Sequence, residues 1–292
     1  MAGVVRTDDD RMLSVEDWGD PGGRPVFLLH GTPGSRFGPR PRAALLYRLG
    51  IRLIAYDRPG YGDSTRLPGR SVARAAHDVA TIADALGIES FAVVGRSGGG
   101  PHALGCAALL PHRVTRAAAL VSPAPRDAAG LDWYAGMTPQ NVERFNVAER
   151  GIVALAERIV PHADAIRADP VAHLPFVMDG LPASDRRVLS DFGIRTMLAS
   201  NFSEAFKSSA AGWIDDVIAF VSPWGFDPAV ITRPVVLWHG REDRFMPVGH
   251  SRWLARRVQS AALTIESGGH FGAMRVLPEI LRELAWGPVE GG

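Results

Sequence analysis

A short apolar run, Phe91-Ala92-Val93-Val94, leads straight into Gly95-Arg96-Ser97-Gly98-Gly99, and a helix-forming stretch opens near Pro101. No other feature narrows the possible folds of this chain as much. A serine placed between a buried strand and a helix, with glycine two residues to either side, fits the sharp strand–turn–helix corner written G-x-S-x-G. Glycines are required there because side chains flanking so tight a turn would clash. The turn raises the serine Oγ above the sheet. It also puts helix N-terminal N–H groups, and the positive end of the helix dipole, beside any negative charge that forms there.

The rest of the chain supplies the sheet that such a corner needs. Residues 25–30, 51–57, 91–95, 117–122, 234–240 and 262–266 are apolar runs closed by turn residues. Their continuous apolarity suits parallel strands buried on both faces. Helical patterns fall between them at 42–49, 71–86 and 101–110, which predicts a doubly wound α/β sheet. Residues 12–18 with the following Gly-Asp-Pro-Gly-Gly predict an antiparallel edge hairpin at the start. From about 123 to 232 the strand rhythm stops and helical patterns replace it, notably at 141–160 and 184–206. Thr138-Pro139 provides an N-cap and a first-turn proline for the first of these. Because strands resume at Pro234, the helical segment is inserted into one sheet. The expected organisation is therefore a core of residues 1–122 and 233–292, a mostly parallel sheet of about eight strands, interrupted by a helical lid at 123–232. The last residues, 287–292, read as a frayed tail.

A serine nucleophile needs a base, and the base needs an orienting carboxylate. In this topology the chain order is serine, acid, histidine. His270, in Ser267-Gly268-Gly269-His270-Phe271, follows the last strand, and Asp243 follows the strand before it. Ser97, Asp243 and His270 thus each occupy a loop just beyond a strand. Competing acids are Glu242, next to Asp243, and Asp127, beyond the strand ending at Ser122. His102 is expected to pack or hydrogen-bond locally in its helix, His239 to be structural, and His30 to brace its own loop. Two backbone donors should face a developing oxyanion. The expected pair is the N–H of Gly98 and that of Thr32, in the loop His30-Gly31-Thr32-Pro33-Gly34.

At this point HGTPGS (30–35), DRPGYGDS (57–64), GRSGGG (95–100), HGREDRFMP (239–247) and GGHF (268–271) together resemble the landmarks of the α/β-hydrolase superfamily. They are similar to its lid-bearing branch of small esterases, proline iminopeptidases and cofactor-free haloperoxidase-like enzymes. The landmarks run in the family's order from about residue 11 to 285. The resemblance implies an insertion after the sixth strand and a Ser–Asp–His triad. Two departures narrow it. Epoxide hydrolases and haloalkane dehalogenases carry aspartate at the elbow, where this chain has Ser97. Proline iminopeptidases carry tryptophan directly after the serine, where this chain has Gly98.

The resulting expectation is a serine hydrolase that cleaves a carboxylic ester, thioester or lactone of a small to medium, moderately hydrophobic substrate through an acyl-serine intermediate. The lid's Trp133, Phe145, Phe176, Met178, Phe202, Trp213 and Phe220 supply apolar surface for such a pocket. An aminopeptidase of the proline iminopeptidase kind is the alternative, and would need an acidic pocket from residues such as Glu143, Glu149 or Glu204. A non-hydrolytic ligand-binding or biosynthetic member of the fold is a third reading. Arg96 is expected either to meet a substrate carboxylate or to form an ion pair. With 32 basic and 31 acidic residues, nothing suggests nucleic acid or an anionic membrane surface as partner. The single Cys106 excludes an intrachain disulfide and reads as a buried thiol. No signal-peptide pattern, membrane-length apolar run, metal-ligand spacing or phosphate loop is present, so a cytoplasmic enzyme without cofactor or metal is expected. Oligomeric state has no signature in the sequence.

Overall fold

In the computed structural model, which describes residues 3–171 and 180–288, β1 (Gly3–Arg6) and β2 (Met12–Gly19) form the expected antiparallel hairpin. Six more strands follow: β3 (Arg24–Leu29), β4 (Ile51–Tyr56), β5 (Phe91–Arg96), β6 (Val114–Leu120), β7 (Val235–Gly240) and β8 (Ala261–Glu266). All eight join one sheet in the order β1-β2-β4-β3-β5-β6-β7-β8. The pairs from β4 through β8 are parallel, and β2 meets β4 antiparallel.

Alternation along each strand explains the unbroken apolar runs. Val26 and Leu28 of β3 pack into one core while Phe27 and Leu29 pack into the other. The same split separates Leu53 and Ala55 from Ile54 and Tyr56, and Ala92 and Val94 from Val93. Helices cover both faces. The helices α1 (Ala43–Arg48) and α10 (Ala273–Trp286) close one side, the latter through Leu277, Ile280, Leu281 and Leu284. On the other side lie α2 (Arg74–Ala85), α3 (Gly99–Leu109) and α9 (Gly249–Arg257). Burying each such side chain stabilises the fold by roughly 1.5–3 kcal/mol.

Between β6 and β7 the described residues form α4 (Pro139–Glu149), α5 (Ile152–Ala168), α6 (Ala183–Leu189), α7 (Phe192–Ala205) and α8 (Ala211–Val221). Two helices expected from periodicity are each two in fact. The span 141–160 breaks at Gly151, whose φ of 112° no helix tolerates. The span 184–206 breaks at Asp191, whose carboxylate accepts the Ile194 N–H at 2.9 Å and so starts a new helix. Thr138 caps α4 as expected. Phe176 and Met178 lie outside the described residues, as do 289–292 of the expected tail; Gly287 ends α10 with φ 91°.

Two histidines are locked in neutral form by the core. His250 on α9 accepts the Ala124 N–H at Nδ1 (3.1 Å) and donates from Nε2 to the Trp133 carbonyl (3.0 Å). Burial pushes its pKa down to about 4, and that of His102 on α3 to about 3. An unfolded histidine takes up its proton near pH ~6.5. The unfolded chain therefore binds more protons below that pH, and stability falls as pH drops towards these folded-state values. Between pH 7 and pH 5 the wild type is expected to lose roughly 2 kcal/mol more than a His250→Asn variant. Chemical denaturation of both proteins at the two pH values checks this; identical losses would contradict it.

Candidate active site

Parallel pairing brings the loops after β3, β5, β7 and β8 to one edge of the sheet, where ligands of such sheets bind. At the end of β5 the chain turns so tightly that Ser97 has φ 55°, a conformation rare for a residue with a side chain. Its N–H donates to the Leu120 carbonyl of β6 at 2.8 Å, and its carbonyl accepts the Gly100 N–H at 2.8 Å. A Cβ at Gly95 would overlap the Gly99 carbonyl, and one at Gly99 would overlap that of Leu29. Both flanking glycines are thus fixed by close backbone approach, and α3 begins at once at Gly99, two residues before Pro101.

Asp243 and His270 meet beyond β7 and β8. Asp243 Oδ2 accepts from His270 Nδ1 at 2.7 Å, and Oδ1 accepts the N–H groups of Phe245 (2.8 Å) and Met246 (2.9 Å). Burial pushes the Asp243 carboxyl up, but the His270 charge and the nearby His239, with their hydrogen bonds, hold it well below the usual carboxylate range. With Nδ1 committed to Asp243, Nε2 is the ring nitrogen left for a proton exchange. Ser97, His270, Thr32 and Gly98 all line one cavity of about 250 Å³. The loop carrying Thr32 lies directly on the elbow, since a Cβ at Gly31 would sit 3.6 Å from that of Ser97.

The competing residues are held in other contacts. Glu242 accepts from Ser184 Oγ at 2.8 Å on the surface, and Asp127 is exposed. His239 is tied to Ser251 Oγ and the Met246 carbonyl, each at 2.7 Å. His102 donates from Nδ1 to the Gly98 carbonyl at 2.8 Å. His30 braces its loop, with Nδ1 at 2.8 Å from the Gly31 carbonyl and Nε2 accepting the Arg58 N–H at 3.2 Å. Cys106 is buried, which raises its thiol pKa.

Two lid carboxylates that sequence reading passed over hold both loops. Asp216 on α8, fully buried, accepts from Arg58 Nη2, from Arg70 Nη2 (2.6 Å), from Tyr61 Oη (2.9 Å) and from Thr32 Oγ1. Arg58 in turn donates to the carbonyls of His30 and Gly31. Burial alone would raise the Asp216 carboxyl, but the two guanidinium groups hold it well below the usual range. Asp185 on α6 accepts the backbone N–H groups of His270 (2.9 Å) and Phe271 (2.7 Å), fixing the turn that presents the histidine. The pair Asp215-Asp216 inside the apolar run 213–221 was the available signal, since two adjacent charges in such a helix need partners.

The cavity wall is largely apolar, with Phe145, Phe202, Trp213, Phe220, Phe245 and Met246 among its residues. Trp133 instead packs edge-on against Phe145 and His250 in the core. None of the three candidate acids lines the cavity. Glu143 pairs with Arg158 (3.2 Å), Glu149 with Arg126 (2.6 Å) and Glu204 with Arg36 (2.7 Å). Arg96 borders the cavity and, among the described residues, has no ion pair; burial lowers its pKa to about 10. Among the described residues there is no group of three or more His, Cys, Asp or Glu able to hold a metal, and no helix long and apolar enough to cross a membrane.

A family model described as alpha/beta hydrolase fold matches residues 24–274. The chain is 27% identical over 257 residues to 2-hydroxymuconate semialdehyde hydrolase of Pseudomonas putida, covering 86% of this chain and 81% of that protein. It is 25% identical over 276 residues to a non-heme haloperoxidase of Rhodococcus erythropolis, covering 93% of each. The solved esterase of Exiguobacterium antarcticum superposes with a TM-score of 0.66 at 21% identity, over 97% of this chain and 98% of that one.

Proposed function

The chain belongs to the α/β-hydrolase fold family, and from that premise we propose that it is a serine hydrolase cleaving a carboxylic ester, thioester or lactone of a small, moderately hydrophobic substrate. The observation that carries this reading is the 2.7 Å Asp243–His270 pair on the wall of the same apolar cavity that Ser97 lines. In this reading residues 1–122 and 233–292 form the catalytic core and 123–232 the lid.

His270 Nε2 takes the Ser97 hydroxyl proton as Oγ bonds to the acyl carbon, and the carbonyl oxygen becomes an oxyanion. The N–H groups of Gly98 and Thr32 donate to that oxygen. The protonated His270 then gives its proton to the leaving oxygen or sulfur, which departs as an alcohol or thiol. A water, deprotonated by the same nitrogen, attacks the acyl-Ser97 carbon, releasing the acid and restoring the serine. Asp243 holds the tautomer and stabilises the imidazolium throughout.

An acyl-length series of p-nitrophenyl esters tests the apolar part of the reading. Each added methylene that enters the pocket is expected to raise kcat/KM by up to about 4-fold until the cavity is full. Rates that fall from acetate onward would overturn it.

A further inference from the structure

Along its described wall the cavity carries charge of one sign. Its described wall contains Arg96, Arg144 and Arg158 with two histidines, and among these lining residues there is no Asp or Glu. Arg158 is balanced by Glu143 near the surface at 3.2 Å. Arg144 has no such ion pair among the described residues. On α4 it donates from Nη1 to Asn141 Oδ1 at 2.8 Å, and its guanidinium carbon lies 5.3 Å from the Trp213 ring centroid. Among the described residues no carboxylate lies within ion-pair distance of it. Burial, and then the neighbouring Arg158, draw its pKa down to about 10, with Glu143 only partly opposing them. A guanidinium drawn from water without a counter-charge is costly, and a ligand carboxylate removes that cost. Its planar fork matches a carboxylate in two parallel hydrogen bonds.

Resting on the hydrolase reading above, we infer that the substrate is an ester, thioester or lactone bearing a carboxylate at the far end of a short apolar chain, and that Arg144 on the lid receives this carboxylate. The apolar side chains that share the cavity wall with Ser97 and Arg144 then hold the chain's methylenes. The arrangement selects a half-ester over its neutral counterpart.

The test compares mono-p-nitrophenyl adipate with its methyl ester, in which the distal charge is blocked. The wild type is expected to favour the charged substrate in kcat/KM by about 10-fold or more, the scale of one charge-assisted pair. In Arg144→Gln that ratio is expected to collapse to about 1, and in Arg144→Lys to fall between. A ratio, unlike a single rate, is insensitive to general damage. A ratio unchanged in Arg144→Gln, or a wild type favouring the neutral ester, overturns the inference. A protein that hydrolyses neither ester instead overturns the hydrolase reading, and a binding measurement then decides the subsite by itself. Monomethyl adipate should bind Ser97→Ala protein about 10-fold more tightly than dimethyl adipate in calorimetry, and the difference should vanish when Arg144→Gln is added. Equal binding of the two would refute the subsite.

Discussion

Replacing Ser97 with alanine is expected to lower kcat/KM for ester hydrolysis by roughly 10³–10⁶-fold. The change removes one oxygen atom and leaves the backbone corner intact, because the turn is held by the Leu120 and Gly100 hydrogen bonds and by its flanking glycines. On the proposed mechanism, what is lost is the atom that bonds to the acyl carbon. His270, still paired with Asp243 at 2.7 Å, would remain as a base without a nucleophile to activate. Labelling with a fluorophosphonate gives a second readout, with modification at Ser97 in the wild type and none in the variant. A Ser97→Ala protein retaining more than about a tenth of the activity would remove the serine from the mechanism.

The second large effect is on stability. Asp216→Ala would leave Arg58 and Arg70, both almost fully buried, without their shared carboxylate. Breaking a buried ion pair from one side costs about 3–5 kcal/mol, because the stranded charge cannot reach water. For a chain of this size that corresponds to a fall in Tm on the order of 10 °C. The loop of His30 and Thr32 loses its anchor in the same step, so kcat should fall alongside Tm, measured at a temperature where the variant is still folded. A melting point within about 2 °C of the wild type would mean that the two arginines find other partners.

Where one force dominates, the fold was legible in the sequence. The inner parallel strands announced themselves because both faces of each had to be apolar, whereas β8, at the sheet edge, exposes Ala262, Thr264 and Glu266 on alternate positions. The corner at Ser97 announced itself because only glycine fits at Gly95 and Gly99. Loop positions of Asp243 and His270 followed from topology, and their 2.7 Å contact is consistent with that placement. Helix boundaries in the lid were less legible. Gly151 and Asp191 each end one helix and open another, yet neither interrupts the apolar periodicity around it. Asp185 and Asp216 were hidden for another reason. Each acts on residues far away in the chain, 158 positions apart for Arg58 and Asp216, so no local pattern marks them.

The placement of Asp185 and Asp216 on α6 and α8 bears on how this protein could be re-engineered. An insertion between two strands invites exchange with the corresponding segment of a relative, as a way of changing substrate range without touching the chemistry. Here such a chimera would remove the acceptor for the His270 and Phe271 N–H groups and the counter-charge for Arg58 and Arg70 together. A graft that carries aspartates at both places would keep the two halves matched. One that omits them would have to be combined with neutral side chains at positions 58 and 70 of the core, because the inserted helices brace the loops that carry Thr32 and His270.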